Sequence, residues 1–104
     1  MFYSIVFDRD PDNDVDADKE LDDIFVRSRN WPIVNRLKLK LSHDKIYKIL
    51  QEKPESGTPI SEALSEPYDF RSLSEWPLRF EYYFKEYEGI VHVLKIKELP
   101  PGFK

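Results

Sequence analysis

The sequence contains no cysteine, and this absence excludes disulfide bonds and zinc sites built on thiolates. Such a composition is compatible with a cytoplasmic protein, and we predict that location. The chain also has no apolar run that approaches the roughly 20 residues needed by a membrane-spanning helix. Met1-Phe2-Tyr3 begins without the basic and apolar regions of a signal peptide. We therefore expect no membrane among its partners.

Charge is abundant but is sorted along the chain. Hydrophobic residues make up 40% and charged residues 35% of the 104 residues, which is typical of a soluble folded protein, and we predict a single domain over residues 1–104. Residues 8–23 contain nine acids and two bases, whereas residues 24–53 contain eight bases and two acids. The net charge of −4 argues against a strong polyanion binder, while the basic segment leaves nucleic-acid binding open.

The N-terminal third predicts a strand followed by a helix. Residues 2–7 alternate in the manner of a strand, with Tyr3, Ile5 and Phe7 on one side. Residues 18–29 are expected to form a helix, because Asp18 can cap it and acids crowd its first turn, where the helix dipole favours them.

Between these two elements, residues 8–18 carry an aspartate at every even position. One interpretation is a solvated acidic loop. A second is that the loop masks the basic segment electrostatically. A third is a calcium loop, because four aspartates fall at positions 1, 3, 5 and 12 of the EF-hand spacing: Asp12, Asp14, Asp16 and Asp23. Ala17 stands where that loop needs glycine, and we expect no metal and no cofactor.

Residues 33–53 are ambiguous. Leucine and lysine alternate over residues 37–41 as in a strand, but both are strong helix formers and the run has no β-branched residue. We favour two helices packed as a hairpin, or one helix broken near Ser42, over a strand.

The C-terminal third predicts three strands at residues 68–73, 78–85 and 90–97, which are rich in aromatic and β-branched residues. Tyr87-Glu88-Gly89 supplies a turn in which Gly89 is free to adopt positive φ. The predicted fold is an α+β domain: a mainly antiparallel sheet that includes the N-terminal strand, a two-helix hairpin on one face and the three C-terminal strands. The predicted core is Ile5, Phe7, Ile24, Phe25, Leu37, Ile46, Leu50, Leu73, Phe80, Val91, Val93 and Ile96.

Three stretches resemble the RelE/ParE family of bacterial toxins. Lys53-Pro-Glu-Ser-Gly-Thr-Pro-Ile60 is similar to the linker that follows the family's second helix. Arg71-Ser-Leu and Leu78-Arg79-Phe80-Glu81-Tyr82 resemble its first C-terminal hairpin, and Gly89-Ile-Val-His-Val-Leu-Lys-Ile96 resembles its last strand. The resemblance implies a toxin component that pairs with a small antitoxin-like protein. One branch of the family cleaves mRNA on the ribosome, and the other inhibits DNA gyrase.

For the RelE-like branch, the resemblance implies that basic residues of the sheet act on a ribose-phosphate. Arg71 and Arg79 would stabilise phosphate charge, Tyr82 would support or stack, and His92 could act as acid or base. The expected nucleic-acid contacts are the lysines Lys38, Lys40, Lys95 and Lys97.

The chain departs from the family at its C-terminus, where Glu98-Leu-Pro-Pro-Gly replaces the basic end that carries a catalytic residue. Together with the negative net charge, this departure motivates an alternative. The same scaffold would then serve as a non-catalytic protein-binding module.

Overall fold

The computed structural model describes residues 2–60 and 69–100. In these ranges three short strands come first, two consecutive α-helices follow, and four strands complete the order. Within these ranges the elements are β1 (Ser4–Phe7), β2 (Arg9–Asp10), β3 (Val15–Asp16), α1 (Ala17–Arg27), α2 (Ile33–Glu52), β4 (Thr58–Pro59), β5 (Asp69–Glu75), β6 (Leu78–Lys85) and β7 (Ile90–Glu98).

Five of the strands form one mixed sheet in the order β1-β7-β6-β5-β4. β1 is parallel to β7, whereas the other three pairings are antiparallel. The α+β class and the joining of the N-terminal strand to the sheet are confirmed. Separately, β2 and β3 pair as a small acidic hairpin between β1 and α1. The expected strand position at residue 68 lies outside the described residues.

The sheet has a core side and an outer face. Along β6, the buried residues are Leu78, Phe80, Tyr82 and Phe84, and they pack with both helices. The alternate residues Arg79, Glu81, Tyr83 and Lys85 are half-buried and point to the opposite side, which we call the outer face. At the end of the next turn, Gly89 adopts φ +67°, as predicted.

α2 is one continuous helix through Ser42, so the predicted break there is wrong. Ser42 is buried and its hydroxyl donates a 2.6 Å hydrogen bond to the carbonyl oxygen of Trp76. Leucine and lysine alternate at residues 37–41 because this part of the helix carries leucine on two opposite sides. Leu39 is completely buried, whereas Leu37 and Leu41 on the opposite side of the helix are 59% and 69% exposed. Leu37 is therefore not a core residue, contrary to the prediction.

The rest of the predicted core packs as expected. Seven of its residues are buried: Ile24, Ile46, Leu50, Phe80, Val91, Val93 and Ile96. The remaining four are partly buried against them: Ile5, Phe7, Phe25 and Leu73.

Candidate functional site on the outer face of the sheet

Two of the residues predicted to be catalytic, Arg71 and Tyr82, lie opposite each other on the core side of β5 and β6. Nη1 of Arg71 donates hydrogen bonds to the carbonyl oxygens of Glu55 and Gly57, at 2.8 and 2.7 Å. The completely buried Tyr82 donates its hydroxyl proton to the carbonyl oxygen of Pro54. Both side chains therefore hold the turn after α2 against the sheet, and neither contributes to the outer face.

His92 ends a row of aromatic rings on the outer face. Phe70, Tyr83 and His92 are register neighbours on β5, β6 and β7. The Tyr83 and His92 rings stack with centroids 4.6 Å apart and planes 5° apart, and the Phe70 centroid lies 5.4 Å from that of Tyr83. Nδ1 of His92 lies 3.0 Å from Oδ2 of Asp8. The stack and the carboxylate together fix the plane and the rotation of the imidazole.

The parallel pairing of β1 with β7 brings Asp8 to His92. Val6 is the register partner of His92, and the backbone N–H of Asp8 donates to the carbonyl oxygen of Val93 at 2.8 Å. A carboxylate beside Nδ1 favours the tautomer that is protonated there, which leaves Nε2 to accept or donate a proton. The His92 and Asp8 side chains are 20% and 32% exposed, so solvent reaches both.

Sequence reasoning missed both partners of His92. The sequence places Asp8 at the start of the acidic loop, and its contact with His92 spans 84 positions, which no local pattern reveals. Tyr83 could have been found, because strict alternation along residues 78–85 puts Tyr83 on the side opposite to Phe80 and Tyr82.

The other predicted cations of the sheet, Arg79 and Lys97, form a cross-strand pair on the outer face. Both approach one carboxylate: Nε of Arg79 donates to Oε2 of Glu81 at 3.3 Å, and Nζ of Lys97 lies 3.5 Å from the same oxygen. This cluster keeps a net positive charge of one. It lies four positions along β6 from Tyr83, about 13 Å at roughly 3.3 Å per residue.

Lys95 lies between these two groups and is bound to the acidic hairpin. A bulge at Leu94 shifts the pairing of β7 and turns Lys95 to the outer face. Its ammonium group forms an ion pair with Asp12 and lies 3.8 Å from Asp10, and the residue is 9% exposed. The hydrogen bond to Asp12 raises the pKa of Lys95 despite the opposing effect of burial. Lys95 therefore anchors the hairpin on the sheet.

A second set of contacts joins the hairpin to the start of α1. The fully buried Asp10 accepts hydrogen bonds from the backbone N–H of Asp12 at 2.8 Å and from Nδ2 of Asn13 at 3.0 Å. Glu20 accepts from the same Asn13 amide at 3.0 Å and from the backbone N–H of Ile96 at 3.1 Å. The carboxyl groups of Asp10 and Glu20 therefore join the acidic hairpin, α1 and β7.

These two carboxyl groups differ in their affinity for protons. Burial raises the pKa of Glu20, and its hydrogen bond to Asp10 raises it further. Burial also acts to raise the pKa of Asp10, but the hydrogen bonds from Glu20 and from the Asp12 backbone, with the charge of Lys95, hold it below its ordinary value. Of the two carboxyl groups, Glu20 therefore has the higher affinity for a proton.

The remaining carboxylates of the hairpin bear on the calcium and masking interpretations. Asp14 lies 2.8 Å and Asp16 3.8 Å from the guanidinium of Arg9. Over residues 2–60 and 69–100, no group of three or more Asp, Glu or His side chains is placed to hold a metal ion. In the same residues, the acids of the hairpin form ion pairs with Arg9 of the hairpin itself and with Lys95 of the sheet. The positive charge that they neutralise therefore belongs to the hairpin and the sheet, and not to the basic helix.

Lys38 and Lys40, also predicted to contact nucleic acid, lie on α2 and therefore across the molecule from Lys97. Nζ of Lys38 lies 5.6 Å from the centroid of the Trp76 ring, and Nζ of Lys40 lies 3.1 Å from Oδ1 of Asp44. The structure thus separates the four predicted lysines into two surfaces.

Compared with known proteins, the chain matches no protein-family model, no curated protein and no solved structure. No helix in the part of the chain that the structure describes is long and apolar enough to span a membrane.

Proposed function

We propose that the chain is the toxin component of a toxin–antitoxin pair, a RelE-like endoribonuclease that cuts mRNA on the ribosome. The observation that carries the proposal is the His92–Asp8 pair, stacked on Tyr83 at the outer face. The order of the main elements, one strand, two helices and then the C-terminal strands, supports a RelE/ParE-like scaffold. The expected regulator is a small antitoxin-like protein.

His92 supplies the proton transfer that this reaction needs. Nε2 accepts the proton of a ribose 2′-hydroxyl as its oxygen attacks phosphorus. The bond from phosphorus to the 5′-oxygen then breaks, and the imidazolium returns the proton to that oxygen, which leaves a cyclic phosphate and a free 5′-hydroxyl. Asp8 stabilises the imidazolium between the two transfers, as a carboxylate does for a catalytic histidine.

Two cations of the outer face, Arg79 and Lys97, bind RNA at a distance from the reacting phosphate. The Arg79–Lys97 pair lies about 13 Å along the sheet from the His92–Tyr83 row. That separation exceeds the reach of one phosphate group, so Arg79 and Lys97 hold a flanking phosphate and set the register of the strand. Arg71 and Tyr82 take no part, because their hydrogen bonds go to the turn after α2.

Histidine substitution tests the proposal directly, because the chain has only two histidines and His43 serves as a matched control. In a translation extract, we expect His92→Gln to lower mRNA cleavage by at least about 100-fold, the usual contribution of acid–base catalysis. Asp8→Asn should lower it less. His43→Gln should cleave like the parent, because His43 lies on α2, where it packs against Phe25 and Tyr47 and not on the outer face.

Growth arrest on expression gives a second readout, and a co-expressed small protein from the adjacent gene should relieve it. Circular dichroism of each variant checks that folding is intact. An uncleaved mRNA with the parent protein, or equal cleavage by parent and His92→Gln, would remove the nuclease proposal.

A second candidate, a non-catalytic protein-binding module, is favoured by a specific observation. Arg71, Tyr82 and Lys95, three residues that the resemblance assigns to RNA, all bind groups within the chain. A stable complex with the adjacent gene's product, without cleavage of mRNA, would select this candidate. Inhibition of gyrase supercoiling without cleavage would select a ParE-like action instead.

A further inference from the structure

α2 has apolar residues on two opposite sides. One side carries Leu39, Ile46 and Leu50, which are completely buried in the core. At about 100° per residue, the other side carries a second row of aliphatic residues. We call this row the outer stripe: Ile33, Val34, Leu37 and Leu41, which are 64%, 69%, 59% and 69% exposed. Four large aliphatic side chains exposed together on one helix are typical of an interaction surface.

The outer stripe borders a groove. The groove has a volume of about 440 Å³ and runs between Leu37 and Leu41 on α2 and Glu75 at the end of β5. Lys45 bridges its far wall, with Nζ 3.2 Å from Oε1 of Glu75. A concavity beside an exposed ridge accepts the side chains of a partner in the manner of a helix-in-groove complex.

Bases flank the stripe on both sides. α2 contains five bases and two acids. By helical geometry, Lys38 and Lys45 lie along one flank of the stripe and Arg36 and Lys40 along the other. Because Lys45 is paired with Glu75 and Lys40 with Asp44, each flank keeps a net positive charge of one. Such a surface complements an apolar segment that carries acidic residues on both of its flanks.

We propose that the outer stripe and its groove bind an amphipathic segment of a partner protein, with aliphatic residues on one side and Asp or Glu on both flanks. A second copy of the chain fits less well, because a symmetric contact would bring the bases of two α2 helices together. A membrane surface also fits less well. The stripe spans only about 12 Å of helix, has no aromatic residue, and borders a concave groove.

This inference does not depend on nuclease activity. The outer stripe lies on the helix side of the molecule and points away from the sheet. His92 and Asp8 lie on the opposite side, at the outer face of the sheet. Loss of binding at α2 and loss of cleavage at His92 are therefore separate results.

The probe is a labelled 20-residue helical peptide with leucines at positions three and four apart and glutamates on both flanks. Fluorescence anisotropy compares it with a matched peptide that carries lysine in place of each glutamate. We expect the parent protein to bind the glutamate peptide at least about tenfold more tightly. The double substitution Leu37→Gln/Leu41→Gln should weaken that binding at least about tenfold, as is common for residues at the centre of an interface.

Val26→Gln is the matched control, because Val26 is an aliphatic residue of α1 that is 52% exposed. It should bind the glutamate peptide like the parent. Urea unfolding should show that the double variant folds normally, and its mRNA cleavage should equal that of the parent.

Several outcomes would overturn the proposal. These are equal binding of both peptides, no binding, or equal binding by parent and double variant. Dimerisation of the parent that the double variant loses would assign the face to a second copy. Capture of the parent, but not of the double variant, by anionic phosphatidylserine vesicles would assign it to a membrane.

Discussion

Tyr82 and Tyr83 are adjacent in sequence but belong to opposite surfaces of the sheet. The Tyr82 ring is buried and its hydroxyl binds the Pro54 carbonyl, whereas the Tyr83 ring stacks on His92 at the outer face. The turn that receives Tyr82 also requires a glycine, since a Cβ on Gly57 would collide with the Tyr82 hydroxyl. At this scale, the direction in which a side chain points decides whether it serves the fold or the site.

Tyr82→Phe separates these two roles. We expect it to lower the free energy of unfolding by about 1 kcal/mol, because it removes one buried hydrogen bond. The loss should stay near that value because the Pro54 carbonyl keeps a 3.4 Å contact with the backbone N–H of Gly57. Urea unfolding measures the change, and mRNA cleavage should match the parent.

The control for this substitution is Tyr87→Phe, because the Tyr87 side chain is 83% exposed. Its effect on unfolding should lie within about 0.5 kcal/mol of zero. A Tyr82→Phe protein that unfolds like the parent but cleaves poorly would return the Tyr82 hydroxyl to a catalytic role.

At the scale of elements, the acidic hairpin is the feature that distinguishes this chain from a plain strand-helix-helix-sheet arrangement. β2 and β3 fold back so that Asp10 and Asp12 meet Lys95 at the bulge of β7, while Glu20 of α1 binds the Ile96 backbone. The acids of residues 8–23 repel one another in an extended chain. The buried Lys95 offsets part of that repulsion through its ion pairs with Asp10 and Asp12.

The Asp10–Glu20 contact predicts a pH-dependent stability. The pKa of Glu20 is raised on folding, so its contribution is complete below its ordinary value, near 4.5, and is lost as the pH rises through its folded value. Glu20→Gln keeps the contact and cannot ionise. Its stability relative to the parent should therefore increase from pH 4 to pH 7, measured by urea unfolding at each pH.

The pKa of Asp10 is lowered on folding, so the stability that it contributes changes with pH in the opposite direction. This stability is complete above the ordinary value of 3.8 and is lost as the pH falls through the folded pKa. It therefore lies outside the window that tests Glu20. Asp18→Asn, an exposed acid in the same first turn of α1, controls for the change in net charge. A constant difference in stability between Glu20→Gln and parent over this pH range would show that folding does not raise the pKa of Glu20.

At the scale of the whole molecule, positive charge is divided between two surfaces that face away from each other. Arg79 and Lys97 lie on the outer face of the sheet, while α2 carries its bases on the far side of the core. The acidic hairpin neutralises Lys95 on the first surface. The sorted charges of the linear chain therefore do not form a single RNA-binding patch.

This division predicts which lysines affect RNA affinity, on the assumption of the proposed nuclease function. Lys97→Ala should weaken binding of single-stranded RNA and reduce the slope of log K against log salt by about 0.7, the value for one phosphate contact. Lys48→Ala, an exposed base of α2, should leave the slope unchanged. Filter binding between low and moderate salt measures both, and equal slopes for the two variants would contradict an RNA site on the sheet.

The sequence by itself determined α1, the four longer strands β1, β5, β6 and β7, and most of the core. Alternation along residues 78–85 and 90–97 and the spacing of Ile46 and Leu50 are local signals, and local geometry converts them directly into buried faces. The same signals misled at Leu37 and Ser42. A helix with apolar residues on two sides gives no indication of which side the sheet covers.

Only the tertiary structure decided which residues meet at the candidate site. His92 reaches Asp8 because β1 lies parallel to β7, and a pairing across 84 positions depends on strand order, which no short pattern encodes. The resemblance implies catalytic roles for Arg71 and Tyr82, but the carbonyl groups that bind them belong to a distant turn. Local chemistry selects the side chains that can act, and chain topology selects those that come together.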